Sequence, residues 1–233
     1  NPADSKLGPH VGSDRVHGVV QEMITDLDRS VGRIVETLRR LDLAENTLVV
    51  FTSDNGGYTD YQGLHRGEIS SNAPFRAGKT SLYEGGHRVP AIAWWPGRIA
   101  AGRVTHATAL TMDLLPTALE LAGIPASALA QQPPDGVSLA PLLLRDAPLP
   151  ERTVFWRFRR TVAARSGPWK LLLNANQPEL YHLSDDPAES RNRADTEPET
   201  VARLRRAAAD WVRDVDSSFA RLQSADPSAQ RTR

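Results

Sequence analysis

LVVFTSDNGG, residues 48–57, is the stretch from which the architecture of this chain is best read. Its first half, Leu48-Val49-Val50-Phe51-Thr52, is a continuous β-branched and aromatic run, the pattern of a strand buried on both faces in a parallel sheet. Its second half, Ser53-Asp54-Asn55-Gly56-Gly57, consists of turn-forming residues at the carboxyl end of that strand. Ligands of open α/β sheets gather at such ends, so position alone makes Asp54 a candidate site residue. Two readings stand side by side. One is a plain turn. The other is a carboxylate and a neighbouring amide oxygen, Asp54 and Asn55, acting as two hard ligands for a divalent cation such as calcium. Calcium takes roughly six to eight oxygens, so the rest of its shell would come from elsewhere, substrate included.

Upstream of this strand, Val16, Val20, Met23, Ile24, Leu27, Val31, Ile34, Val35, Leu38 and Leu41 recur at helical spacing, which predicts an amphipathic helix from Ser13 to about Leu41. Helix followed by buried strand implies an α/β layered fold. Downstream, Pro90 to Trp95 reads as a second buried strand stopped by Pro96-Gly97. Met112 to Ala122 reads as a helix stopped by Gly123, and Ser138 to Leu144 as a short helix or turn. Beyond Pro150 the period changes to two: Trp156 and Phe158 alternate with Arg157 and Arg159, and TVAAR, WKLLL and ELYHL follow. These predict short antiparallel strands, with a helix from about Pro198 to Leu222 packed on them. The expected division is therefore 1–150, an α/β part, and 151–233, a small antiparallel sheet with its helix.

Between the two predicted α/β strands, residues 58–75 form a long polar connection holding Tyr58, Tyr61, His65, Arg66 and Glu68, a length more typical of a functional loop than of a simple link. Next comes Arg76-Ala77-Gly78-Lys79-Thr80. The nucleotide-binding pattern G-x-x-x-x-G-K-[ST] fails here, because Ala73 stands at the first glycine position. Lys79 still has the attributes of an anion-binding lysine: a glycine neighbour that lets the backbone approach closely, and a compact ammonium that acts as a point charge on tetrahedral oxyanions. An exposed loop lysine is the plainer alternative.

Composition excludes several classes. Lys+Arg and Asp+Glu balance at 28 each, so no bulk charge points to nucleic acid or an anionic membrane surface. The chain contains 0 cysteines, which removes disulfides, thiolate metal sites and a cysteine nucleophile from these residues. No apolar run reaches the length of a membrane span. Residues 151–170 carry six basic groups against one acid, a face that either meets an anionic substrate or is simply an arginine-rich strand surface.

Taken in order, VVFTSDNGG, NAPFRAGKTSLYEGGHRVPAIAWWPGRI, MDLLPTALELAGI, DGVSLAPLLL, SGPWKLLL and ELYHLSDDPAE resemble the successive C-terminal motifs of the type I sulfatases, members of the alkaline-phosphatase-like superfamily. The likeness runs from the first helix to about residue 215. It implies an α/β fold whose mixed sheet is flanked by helices, and a substrate that is a small sulfate ester or a sulfated carbohydrate. It also implies Asp54 and Asn55 as ligands of an active-site calcium, and Lys79 as the catalytic contact to the sulfate oxygens. Glu84, Gly85, Gly86 and Arg88 match the same motif and are read as shaping the loop. The sequence leaves the compartment open, and the resemblance favours a periplasmic or secreted setting.

The departures carry equal weight. The family's nucleophile is a formylglycine made from the Cys or Ser of a C/S-x-P-x-R motif, and Asn72-Ala73-Pro74-Phe75-Arg76 is not that motif. The early Asp-Asp pair of the metal shell is also missing, and His10 and His17 lie too close to the first helix to replace a substrate-facing histidine. The resemblance therefore covers the C-terminal half only. It leaves open part of a calcium-dependent sulfatase, a catalytically incompetent remnant or binding module, and a phosphatase or phosphodiesterase of the same superfamily.

Overall fold

A computed structural model describes residues 13–59, 70–125, 133–174 and 177–225. Its helices are α1 (Ser13–Arg40), α2 (Glu84–His87), α3 (Leu114–Leu121), α4 (Ala140–Arg145) and α5 (Pro198–Ala225). Its strands are β1 (Val49–Thr52), β2 (Ala91–Trp94), β3 (Thr153–Phe158), β4 (Thr161–Ser166), β5 (Trp169–Leu173) and β6 (Pro178–His182). Two compact units result: residues 1–53 with 90–150, and residues 54–89 with 151–233. Both are discontinuous in sequence. Residues 54–89, which follow β1, group with the C-terminal sheet.

In the first unit, β1 and β2 pair antiparallel, with Val49 opposite Trp94 and Thr52 opposite Ala91. This corrects the expected parallel, doubly buried strand. The described residues supply only these two strands to that sheet, so its faces stay partly open; Ile92 is 60% exposed. A continuous apolar run reports side-chain type and not the direction of its neighbour. The helix predicted over 112–122 begins with a 3-10 turn at Thr111–Asp113. Buried Asp113 accepts the amides of Leu110 (2.8 Å) and Val137 (2.9 Å), which ties the 137–139 segment to the start of α3. Arg103 donates to the carbonyls of Leu142 and Leu143, satisfying the C-terminal end of α4. The apolar stripe of α1 forms as predicted but is left uncovered: Met23, Ile24, Leu27 and Ile34 are all more than half exposed.

The second unit is built on the antiparallel sheet β3-β4-β5-β6. One face buries Ala164, Leu171 and Leu180 against Val201, Leu204 and Ala208 of α5, and Phe155 stacks on Trp211 at 5.2 Å. Each fully buried leucine contributes about 2 kcal/mol of transfer free energy. The other face carries Ala163, Leu172 and Tyr181, covered by Leu82 and Tyr83 from the segment before α2. Burial on both faces explains why Leu171-Leu172-Leu173 runs apolar where a half-exposed strand would alternate. Strand pairing sets Arg165 beside Lys170 and Lys170 beside Tyr181, so one row of side chains crosses three strands beneath that covering segment. No helix among the described residues is long and apolar enough to cross a membrane.

Candidate active site

Asp54 and Asn55 follow β1 in sequence and belong to the second unit, as does Lys79. Asp54 is exposed, and the Asn55 amide donates to its Oδ1 at 2.5 Å. The main chain that follows is locked in place. Gly56 is buried and donates to the Gly86 carbonyl at 3.0 Å. A Cβ at Gly56 would sit 1.8 Å from the Gly85 oxygen, so only glycine fits. The Gly57 carbonyl accepts the Lys79 amide at 3.1 Å, and a Cβ on Gly78 would fall 2.4 Å from that same oxygen. The two motifs singled out in the sequence thus meet through their backbones, with the Lys79 side chain exposed.

Asn72 completes this junction. Its Oδ1 accepts the Gly57 amide (2.8 Å), while its Nδ2 donates to the carbonyls of Gly57 (2.9 Å) and Ala77 (3.0 Å). In the sequence Asn72 is marked only by standing where a C/S-x-P-x-R motif would have its nucleophile. The signal that it braces two loops is spatial, since its partners lie on either side of it in sequence.

Below the junction lies a polar foundation. The Arg76 guanidinium sits 3.9 Å over the Tyr83 ring and donates to the Tyr181 hydroxyl (3.1 Å) and the Glu189 carbonyl (3.0 Å). Tyr83 and Tyr181 both donate to Glu179 Oε2, at 2.7 and 2.6 Å. Burial, with the hydrogen bond to that carboxylate, pushes the Tyr83 phenol up to about 12, so it remains a donor. Deeper still, Lys170 and Glu84 pair at 2.9 Å and are both fully buried. Burial opposes the charge on Glu84, but the Lys170 ammonium outweighs it and holds the carboxyl below its usual range. The basic stretch at 151–170 therefore divides: Arg165 and Lys170 turn to Glu84, while Arg157 pairs with Asp216 on α5 at 2.7 Å.

His87 stacks on Trp156 at 4.4 Å, with its Nε2 3.1 Å from Lys170 Nζ. Burial and the Lys170 charge lower its pKa to about 4. An unfolded histidine titrates near 6.5. Between these values the unfolded chain takes a proton that the folded protein refuses. The stabilisation is thus complete above about pH 6.5 and is lost as pH falls toward 4. We expect the group to remove about 2 kcal/mol of stability between pH 7 and pH 5. Urea midpoints at the two pH values should differ less in His87→Gln than in the unaltered protein, and equal differences would refute the coupling.

The donor chemistry of Asp54 and Asn55 suits a hard cation, since both carry oxygen ligands. They are a partial set: among the described residues no group of three or more His, Cys, Asp or Glu is placed to hold a metal. Tyr61, His65, Arg66, Glu68 and His10 lie outside the described residues, and His17 lies on the exposed surface of α1.

The fold is that of the C-terminal part of the alkaline-phosphatase-like α/β proteins. A solved structure, Ps i-CgsB in complex with k-i-k-neocarrahexaose, superposes with a TM-score of 0.72 at 27% identity over 88% of this chain and 48% of that one. The chain belongs to the sulfatase family: residues 3–124 match the family's model, and residues 77–211 match the model of the N-sulphoglucosamine sulphohydrolase C-terminal region. It is similar to N-acetylgalactosamine-6-sulfatase of Sus scrofa, with 44% identity over 64% of this chain and 28% of that protein. Against human arylsulfatase A the identity is 37%, over 75% of this chain and 39% of that protein. The chain thus spans less than half the length of each of these proteins.

Proposed function

We propose that these residues form the anion-binding and part of the metal-binding wall of a sulfate-ester hydrolase. Asp54 and Asn55 serve as calcium ligands, and Lys79 binds the sulfate oxygens. The observation that carries this reading is the hydrogen bond from the Lys79 amide to the Gly57 carbonyl, which ties the lysine's turn to the loop bearing Asp54 and Asn55. Hydrolysis of a sulfate ester spreads negative charge over tetrahedral oxygens. A lysine ammonium beside those oxygens offsets that charge. Calcium, when bound, supplies Lewis-acid polarisation of a sulfate oxygen.

No Cys or Ser in a C/S-x-P-x-R motif occurs in residues 1–233, so the nucleophile, a formylglycine in this reading, lies outside them. The uncovered apolar stripe of α1 agrees with this, because a surface of that kind calls for further packing. Sulfated carbohydrates and aryl sulfates are the proposed substrate classes, in keeping with the names of the two relatives.

The test is turnover by the full-length protein on an aryl sulfate and the matching aryl phosphate, with and without a calcium chelator. Faster sulfate release, removed by the chelator and restored by calcium, is expected. Faster phosphate release would instead make it a phosphatase of the same superfamily, and no release of either would leave a binding remnant.

A further inference from the structure

Lys170, on β5, has no exposed surface, and neither have its partners Glu84 and Glu189. Its Nζ lies 2.9 Å from Glu84 Oε1 and 2.8 Å from Glu189 Oε1. Burying one ammonium between two carboxylates is costly, and well-packed apolar residues of similar volume often stabilise a core at least as well. What the ionic arrangement adds is direction, since it holds its members in one geometry. The segments it joins are informative. Glu84 opens α2, and the next residues seat the site: the Gly85 amide donates to the Arg76 carbonyl at 2.9 Å, and the Gly86 carbonyl accepts the Gly56 amide at 3.0 Å. Glu189 uses its second oxygen to accept the Glu84 amide at 2.6 Å. Arg88 and Arg165 reach the remaining Glu84 oxygen at 3.5 Å.

We propose that Lys170 is a positioning residue for Asp54, Asn55 and Lys79, acting through Glu84 and Glu189 on the Gly85-Gly86 turn against which both site loops are seated. The inference rests on the reading of those three residues as the sulfate-ester site. It assigns to the small C-terminal sheet a task beyond burying its own core, because misplacing a reacting group by about an ångström is enough to cost a hundredfold in rate.

The experiment uses the double variant Lys170→Met with Glu189→Gln in the full-length protein. This removes one charge of each sign, keeps an oxygen for the Glu84 amide, and leaves Glu84 with its arginines. The expected result is cooperative melting, with the Gly56 and Lys79 amides exchanging hydrogen on the order of tenfold faster while the Leu171 amide is unchanged. On an aryl sulfate, kcat and kcat/KM fall together, on the order of tenfold or more. Glu189→Gln alone, which keeps Lys170 paired with Glu84, gives the same pattern at smaller amplitude. Unchanged exchange at Gly56 and Lys79 in a folded double variant overturns the proposal, as does loosening spread evenly over β4, β5 and β6. If the double variant does not fold, unchanged exchange in Glu189→Gln overturns it. Absence of turnover in the unaltered protein defeats the sulfatase reading instead, and the exchange measurements still decide the role of Lys170.

Discussion

Asp54→Ala in the full-length protein is expected to abolish calcium-dependent sulfate release, with a loss in kcat/KM on the order of a thousandfold or more. The side chain is exposed, and its one described hydrogen bond is from the neighbouring Asn55 amide. Truncating a surface carboxylate of that kind changes stability by about 0.5 kcal/mol or less. The loss should therefore appear in a protein that melts as before. Calorimetric calcium titration provides the independent measure, and affinity should fall in parallel with rate. Retained turnover together with unchanged calcium affinity would remove Asp54 from the metal site.

Gly56→Ala should be nearly as damaging, for a different reason. Its new methyl would meet the Gly85 oxygen at 1.8 Å and the Gly85 carbonyl carbon at 2.8 Å. Both are main-chain atoms, so no side chain can rotate away and the two loops must part. The hydrogen bond from Gly56 to the Gly86 carbonyl goes with them. We expect a cost of about 3 kcal/mol in stability, near the upper end for an overpacked site. The displacement of Asp54 and Asn55 should cost on the order of a hundredfold in rate. Gly32→Ala on α1, where a Cβ meets nothing within 4 Å, is the matched control and should be neutral or stabilising. Equal melting temperatures and rates for the two variants would show that the loops are not interlocked.

Much of the secondary structure was legible before any coordinates. Helical spacing marked α1 and α5, and the alternation after Pro150 marked β3, because these periods are printed directly in residue type; β5 showed itself instead by its apolar run. Strand direction was not legible. Val49-Val50-Phe51 carries the same apolar run whether its neighbour is parallel or antiparallel, and β2 returns as an antiparallel partner. The grouping of residues 54–89 with the C-terminal sheet was also hidden, since it depends on Leu82 and Tyr83 finding a sheet face formed about ninety residues later.

The same division holds for the candidate site. Asp54, Asn55 and Lys79 stand out in the chain because their chemistry is exposed in their identities: a carboxylate and an amide after a strand, and a lysine after a glycine. Family, fold class and these three candidates are therefore what sequence by itself determined. Glu84 is marked in the sequence by the family's motif as a loop-shaping residue, but no local pattern announces the bracing roles of Asn72, Lys170 and Glu189. Their roles arise from contacts between distant parts of the chain, 105 positions apart for Glu84 and Glu189, where burial turns ordinary charges into a fixed scaffold. Only the tertiary structure could decide those, because burial and partnership are properties of where a side chain ends up and not of what it is.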